Sequence, residues 1–320
     1  MTQTIIVPLS GDDADARVGE AAIPVACALA ERTGAAILLV TVVEPQSPAS
    51  RGELPAAAFQ ERREWLEEIA RQIDGPPVKV AVLIGQPGHE IAALAVDAIE
   101  PMIVMTTHAR RGLRRVLLGS VAFQVVRDAP CPVVVVPPSI GEIPKTYEIE
   151  RVLVPLDESP SAEVALEVGL TALAGDPLDV VLLEVVEQLV RRSGLVEREY
   201  ARLAMPTAQA YLDDVASDVV AHGHRAYVSV RFGYPGREIT DTVRNEAIDL
   251  VVMATRGRSG LGRVVLGSVA EDVLRAAEVP LLLIGPGVLT KRMTSPEAVS
   301  KRGLAARSRA VAETTGGIVG

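Results

Sequence analysis

Aromatic residues are scarce in this chain: they make up 3% of 320 residues, with one tryptophan. Its cores must therefore come from Val, Leu, Ile and Ala, which the 48% hydrophobic content supplies. That composition suits parallel sheets covered by helices on both faces. Cysteine is almost missing too. Cys27 and Cys131 have no metal-ligand spacing, build no disulfide framework, and read as buried thiols of a reducing compartment. No apolar run approaches ~18 residues, so no membrane span is expected. Positive charge is not in excess: the net charge of −9 argues against a nucleic-acid partner. The first residues run straight into an apolar segment with no basic region or cleavage site, so no signal peptide is expected and the location reads as cytoplasmic. There is no G-x-x-x-x-G-K-[ST], so a phosphate would have to be held without a Walker lysine. Nothing reads as a Ser-His-Asp or Cys-His set, so no catalytic residue is assigned. His222 and His224 lack a third ligand nearby, so no metal centre is assigned.

What the chain does have is a copy of itself. Gly112–Pro132 and Gly260–Pro280, offset by 148, share 13 of 21 residues. Gly85-Gln-Pro-Gly-His-Glu-Ile91 matches Gly233-Tyr-Pro-Gly-Arg-Glu-Ile239 at the same offset, and Ile6-Val-Pro-Leu9 matches Leu153-Val-Pro-Leu156. A period this long means duplicated domains rather than a solenoid. Each copy alternates short apolar runs with helical periodicity, which predicts a doubly wound parallel sheet. The predicted strands are 4–9, 36–43, 78–84, 102–106 and 133–136, then 151–156, 179–186, 225–231, 249–254 and 280–284. The helices fall near 14–32, 56–73, 87–99 and 119–128, then 161–174, 207–222, 238–246 and 267–277. Pro24 is expected to kink or restart the first helix. Trp65 lies near the apolar face of the second. The boundaries read as a first domain over 1–138, a linker over 139–150, a second domain over 151–287 and a basic, mobile tail over 288–320.

The sharpest chemistry lies at 251–286, where a strand, a Gly- and Arg-rich loop, a helix and a second strand follow in order. Glycines let a ligand approach the backbone, free amides form an anion-binding concavity, and the helix N-terminus adds donors and a positive dipole end. Arg256, Arg258 and Arg263 add charge near a phosphate. A plainer reading stands beside it: Ser268 and Glu271 fit a capping box. Asp157, after the first strand of the second copy, has an Asx turn as its plain alternative.

Taken together, V-P-L-D-E-S-P-S after that strand, G-x-P-G-x-E-I before the third helix, and the glycine loop closing on G-S-V resemble the universal stress protein family, in tandem form. The resemblance covers roughly residues 1–287. It implies an adenine-nucleotide alpha-hydrolase-like α/β fold of two doubly wound five-stranded parallel-sheet domains. It also implies ATP, with Mg²⁺ riding on the phosphates. Carried over by residue, the second copy supplies Pro155, Asp157, Val185, Met253, Ala254, Gly257, Gly267, Ser268 and Val269. Ala254 departs from the family's first glycine. The first copy departs further. Ser10 stands where Asp157 stands, Val42 matches Val185, Thr106 and Ala109 replace both early glycines, and only Gly119, Ser120 and Val121 remain. A glycine position with φ > 0 would strain Thr106.

If the strand order is 3-2-1-4-5, Asp157 and the glycine loop meet at one crevice. The last strands of the two copies carry few charges and are expected to pair, giving a pseudo-dimer within one chain that can dimerise further. The leading functional reading is an ATP-binding stress-response switch or sensor. Beside it stand a nucleotide-free tandem module that binds a protein partner, and a slow ATPase or self-phosphorylating protein.

Overall fold

The computed structural model of the chain describes residues 2–10, 19–44, 56–107, 118–137, 146–188, 194–257, 266–276 and 278–294. The first half contains β1 (Thr4–Pro8), α1 (Ala22–Thr33), β2 (Ala36–Val43), α2 (Ala56–Arg71), β3 (Val78–Ile84), α3 (Pro87–Asp97), β4 (Pro101–Thr106), α4 (Ser120–Asp128) and β5 (Val133–Val136). The second contains β6 (Arg151–Leu156), α5 (Pro160–Ala172), β7 (Asp179–Glu187), α6 (Gly194–Ala221), β8 (Arg225–Gly233), α7 (Pro235–Asn245), β9 (Leu250–Ala254), α8 (Ser268–Ala276), β10 (Leu281–Ile284) and α9 (Pro286–Met293).

All ten strands join one sheet in the order β3-β2-β1-β4-β5-β10-β9-β6-β7-β8. Each half has the predicted 3-2-1-4-5 order. Every pairing is parallel except β5 with β10, which run antiparallel with Leu282 opposite Val134. Two charge-free four-residue edges thus cover each other, and the backbone groups that each would have left open are paired. The central strands are buried on both faces, so they read as unbroken apolar runs rather than alternating ones. Both apolar layers cross the junction. One contains Leu29, Leu39, Val134, Val152, Leu182 and Leu212, and the other contains Ile6, Ile103, Val133, Leu153, Val251 and Leu281.

Polar contacts lash the halves together. The Arg32 guanidinium, at the end of α1, donates to the carbonyl oxygens of Leu173 (2.8 Å), Ile149 (3.3 Å) and Asp176. Thr2 Oγ1 donates to the Ala172 carbonyl at 3.1 Å. Before β6, Asp249 Oδ2 accepts from the amides of Glu150 (3.0 Å) and Arg151 (2.8 Å), fixing the approach to that strand.

The repeated G-x-P-G-x-E motif is structural. Gly85 has φ 150, a backbone that side chains rarely adopt, and the Glu90 side chain folds back over it. Pro87 opens α3 where no amide partner is needed. A Cβ at Gly88 would press on Gln124 of α4, and one at Gly236 on Asp272 of α8. The motif therefore sets how closely paired helices pack.

Two expectations change. The helix expected over 207–222 begins at Gly194 and runs through Pro206. Proline reads as a stop because it leaves one carbonyl without its amide, yet here the helix continues to pack on β7 and β8. The first residues of the tail expected from 288 are instead helical: α9 extends to Met293, with Val288 and Leu289 buried. The break expected at Pro24 is present: helical residues 19–20 are interrupted by a turn at Ala21, and α1 restarts at Ala22 with Pro24 in its first turn, where its missing N–H is not needed. Trp65 is partly buried against the core, as its helical spacing suggests. The linker over 138–145, the tail beyond 294 and residues 11–18 lie outside the described residues. No helix among the described residues is long and apolar enough to cross a membrane.

Candidate functional site

β6 and β9 are neighbours at the point where strand order reverses in the second half, and both point their carboxyl ends to the same edge. In open α/β sheets this is where a crevice opens. Past β6 comes Asp157. Its Oδ1 accepts from the Ser159 amide (3.2 Å) and hydroxyl (2.5 Å). Ser159 Oγ in turn accepts from the Ala162 amide at 3.2 Å and caps α5, with Pro160 at the first helical position. The Asx-turn alternative for Asp157 is therefore met by one oxygen. The other oxygen faces Gly257: a Cβ there would collide with Oδ2. Glu158 between them has φ 58, a left-handed backbone uncommon for a residue with a side chain.

Past β9, Thr255 is locked down. Its amide donates to the Ile284 carbonyl at 3.1 Å and its hydroxyl to the same oxygen at 3.3 Å. Gly267 then returns to it, donating its amide to the Thr255 carbonyl at 2.7 Å. This corrects one expectation: the Gly267 amide is spent closing the loop, not offered to a ligand. Ser268 is the first residue of α8, and the first-turn amides of a helix have no intrahelical acceptor. The capping box is not made by Glu271, whose carboxylate pairs with Arg275. Arg256 is half-buried, and its Nε is buried with no hydrogen-bond partner.

These groups meet around one cavity of about 570 Å³. Pro155, Asp157, Val185, Met253, Ala254, Gly257, Gly267, Ser268 and Val269 all line it, as does Arg256. Arg258 and Arg263 lie outside the described residues. The departure at Ala254 has no backbone cost. Ala254 ends β9 and its counterpart Thr106 ends β4, and neither has positive φ. The strain expected at Thr106 is therefore absent, because this position needs no left-handed backbone.

Sequence reasoning missed a second group of lining residues: Glu158, Ala162, Glu184, Glu187 and, from α6, Tyr200, Ala204 and Thr207. Tyr200 and Ala204 were hidden behind Pro206, while Thr207 opens the helix expected over 207–222. Glu184 could have been found, since it is a lone charge inside the run D-V-V-L-L-E-V-V. It is 5% exposed. Tyr211 sits close by and donates to Glu163 Oε1 at 3.4 Å. Burial first, then the charges of Glu163, Glu184 and Asp157, push its hydroxyl above the usual tyrosine range.

In the first half, Thr106 is buried at the end of β4, and Ser10 and Val42 are partly buried. Gly119 precedes α4 with an extended backbone, Ser120 opens it exposed, and Val121 packs on the core. Ala109 and His108 lie outside the described residues. His222 is exposed, but His224 Nδ1 accepts the Leu178 amide at 3.2 Å, and burial holds its pKa below the ordinary value. No group of three potential metal ligands exists among the described residues. Both cysteines are free thiols. Burial pushes Cys131 up to about 12, and burial with Glu31 pushes Cys27 up to about 11.

Comparison with known proteins gives one answer. Residues 1–137 and 148–285 each match the universal stress protein family. A universal stress protein of Mycobacterium tuberculosis is 30% identical over 240 residues, covering 68% of this chain and 78% of its own. The crystal structure of a universal stress protein from Archaeoglobus fulgidus superposes with a TM-score of 0.60 at 20% identity, over 88% of this chain and 97% of that one. A universal stress protein solved in complex with cAMP is 22% identical, with a TM-score of 0.34 over 42% of this chain and 98% of that one.

Proposed function

The chain belongs to the universal stress protein family as a tandem member, and on that premise we propose that its second half binds ATP and serves as a nucleotide-dependent switch or sensor in the stress response. The observation that carries this reading is the convergence of nine family-motif residues, spread from Pro155 to Val269, on one cavity. At about 570 Å³ it falls within the range of small-molecule sites.

The residues fit a nucleotide at both ends. Arg256 brings a guanidinium whose Nε lacks a hydrogen-bond partner to the same cavity that Ser268 and the start of α8 line. That is a cationic, donor-rich place for phosphates. Gly257 passes close enough to Asp157 that a Cβ there would have to displace its Oδ2, and its backbone would lie against the ligand. Asp157 would accept from ribose hydroxyls, and Val185 and Met253 give an apolar wall for the base. Asp157, Glu158, Glu184 and Glu187 make the remaining wall acidic, so a polyphosphate would enter with Mg²⁺, which supplies the countercharge. The first half lacks the carboxylate, having Ser10 in its place, and would not bind the ligand. The place of action we assign is the cytoplasm, in keeping with two free thiols.

A second reading is favoured by one observation. The Gly267 amide is already engaged by Thr255, as it would be in a nucleotide-free module whose surface binds a protein. Native mass spectrometry of the purified chain separates the two. The ATP reading expects a co-purifying adenine nucleotide, lost in Arg256→Ala. Apo protein that also gives no heat with added ATP and Mg²⁺ refutes it and leaves the interaction module.

A further inference from the structure

α6 consists of two unlike pieces joined at Pro206. Past the proline the helix is anchored. Ala208, Tyr211, Leu212 and Val219 are buried, the last three in the apolar layer that also holds Leu182. Before the proline it is not. Across 199–206 no residue is buried, Leu203 is 64% exposed and Tyr200 is 37% exposed. Pro206 also has no amide to offer the Arg202 carbonyl, so the turn at the joint lacks one helical bond. Yet Tyr200 and Ala204, on the unanchored piece, line the cavity. Few buried apolar contacts and a weakened joint characterise segments that open at low cost. The first half has no equivalent joint, since α2 has 16 residues and no internal proline. That half also has Ser10 in the place of Asp157 and, by strand register, Thr41 in the place of Glu184. The joint therefore accompanies the complete site.

Resting on the nucleotide reading above, we propose that the stretch 194–205 is a lid hinged at Pro206, which closes on bound ATP and opens to release it. In the structure the lid is in line with the rest of α6 and against the cavity. Opening it gives up little burial within the protein. With a ligand in the cavity, closure also takes the Tyr200 ring and the Ala204 methyl out of water, a gain that exists only when the site is filled. Lids of this kind set the rate of release. A nucleotide-dependent switch needs an element with two arrangements that the ligand biases, and the lid supplies it.

The test is hydrogen exchange followed by mass spectrometry on the full chain, with and without ATP and Mg²⁺, alongside calorimetry on the same samples. Without nucleotide, amides in 195–205 are expected to exchange at least about a hundredfold faster than those in 208–221, because an unanchored piece opens far more cheaply than a core helix. ATP with Mg²⁺ slows 195–205 by at least about tenfold and so narrows that contrast. Pro206→Ala restores the missing bond and narrows the contrast in the free chain by at least about tenfold, given the cost of proline in a helix interior. A fixed wall would protect both pieces alike. Equal protection in the free chain, or a contrast that ATP leaves untouched while calorimetry records binding, overturns the lid and leaves ATP binding standing. If calorimetry records no binding, the nucleotide reading itself has failed and the lid goes with it.

Discussion

The two halves of this chain share a strand order, a motif that packs α3 on α4 and α7 on α8, and apolar layers that run across both. Among the described residues they differ in the helix before the third strand, 16 residues in α2 and 28 in α6, in α9, which has no counterpart there in the first half, and, for chemistry, at the carboxyl ends of the strands. There the second half has Asp157, Glu184 and Gly257, and the first has Ser10, Thr41 and Ala109. The contrast shows where each property is stored. Apolar residues in mid-strand specify the fold, and drift there would cost burial. Residues at the strand ends carry the chemistry, and replacing a carboxylate by a hydroxyl leaves the sheet intact. A duplicated domain can therefore keep its architecture after its site has gone.

The largest break in that comparison should come from Arg256→Ala. Losing a charge-assisted contact of about 1.5–3 kcal/mol lowers ATP affinity about 10- to 100-fold. Ser120→Ala, at the matching loop of the first half, changes it less than about twofold. Equilibrium binding at constant ionic strength checks both. Arg32→Ala tests whether the halves act as one body. It strips three carbonyls of their donor and should destabilise the chain by about 1–3 kcal/mol in urea unfolding. If the halves then unfold in two separate steps, the Arg32 contacts are what couples them; a single weakened step means the β5–β10 junction suffices. Smaller again is Ser10→Asp. Restoring one carboxylate without Glu184's counterpart or Gly257's should create no second ATP site, as read by binding stoichiometry.

The smallest effect concerns the thiols, both in the first half. With pKa values of about 11 and about 12, Cys27 and Cys131 hold their protons more tightly than in an unfolded chain. Their contribution to stability is whole below pH 9 and is lost as pH rises through 11 and 12. At pH 8 the thiolate fractions are about one in a thousand and one in ten thousand. Cys27, the partly exposed one, should be alkylated first, about tenfold faster than Cys131, with mass spectrometry following each site.

Most of the fold was readable because mid-strand runs such as V-V-M-A and L-L-L-I have no other stable place than a sheet covered on both faces, and because the repeat gave every element twice. The strand ends were harder. Pro206 concealed the half of α6 that brings Tyr200 and Ala204 to the cavity, since a local rule about proline cannot see the packing on β7 and β8 that outweighs it. The Gly267 amide looked available because its acceptor, the Thr255 carbonyl, is defined only by the loop's closure. Ala254 looked like a defect because a glycine there was assumed to be conformational, whereas the position is ordinary strand. Glu184 was in plain view, but a single charge in an apolar run acquires meaning only when the cavity beside it is known.

The most direct test of the central claim is the stoichiometry of ATP binding to the intact chain, measured by isothermal titration calorimetry with Mg²⁺. The account predicts one site per chain, weakened about 10- to 100-fold in Arg256→Ala and unchanged in Ser120→Ala. Two sites per chain, or one site untouched by Arg256→Ala and weakened in Ser120→Ala, would contradict it.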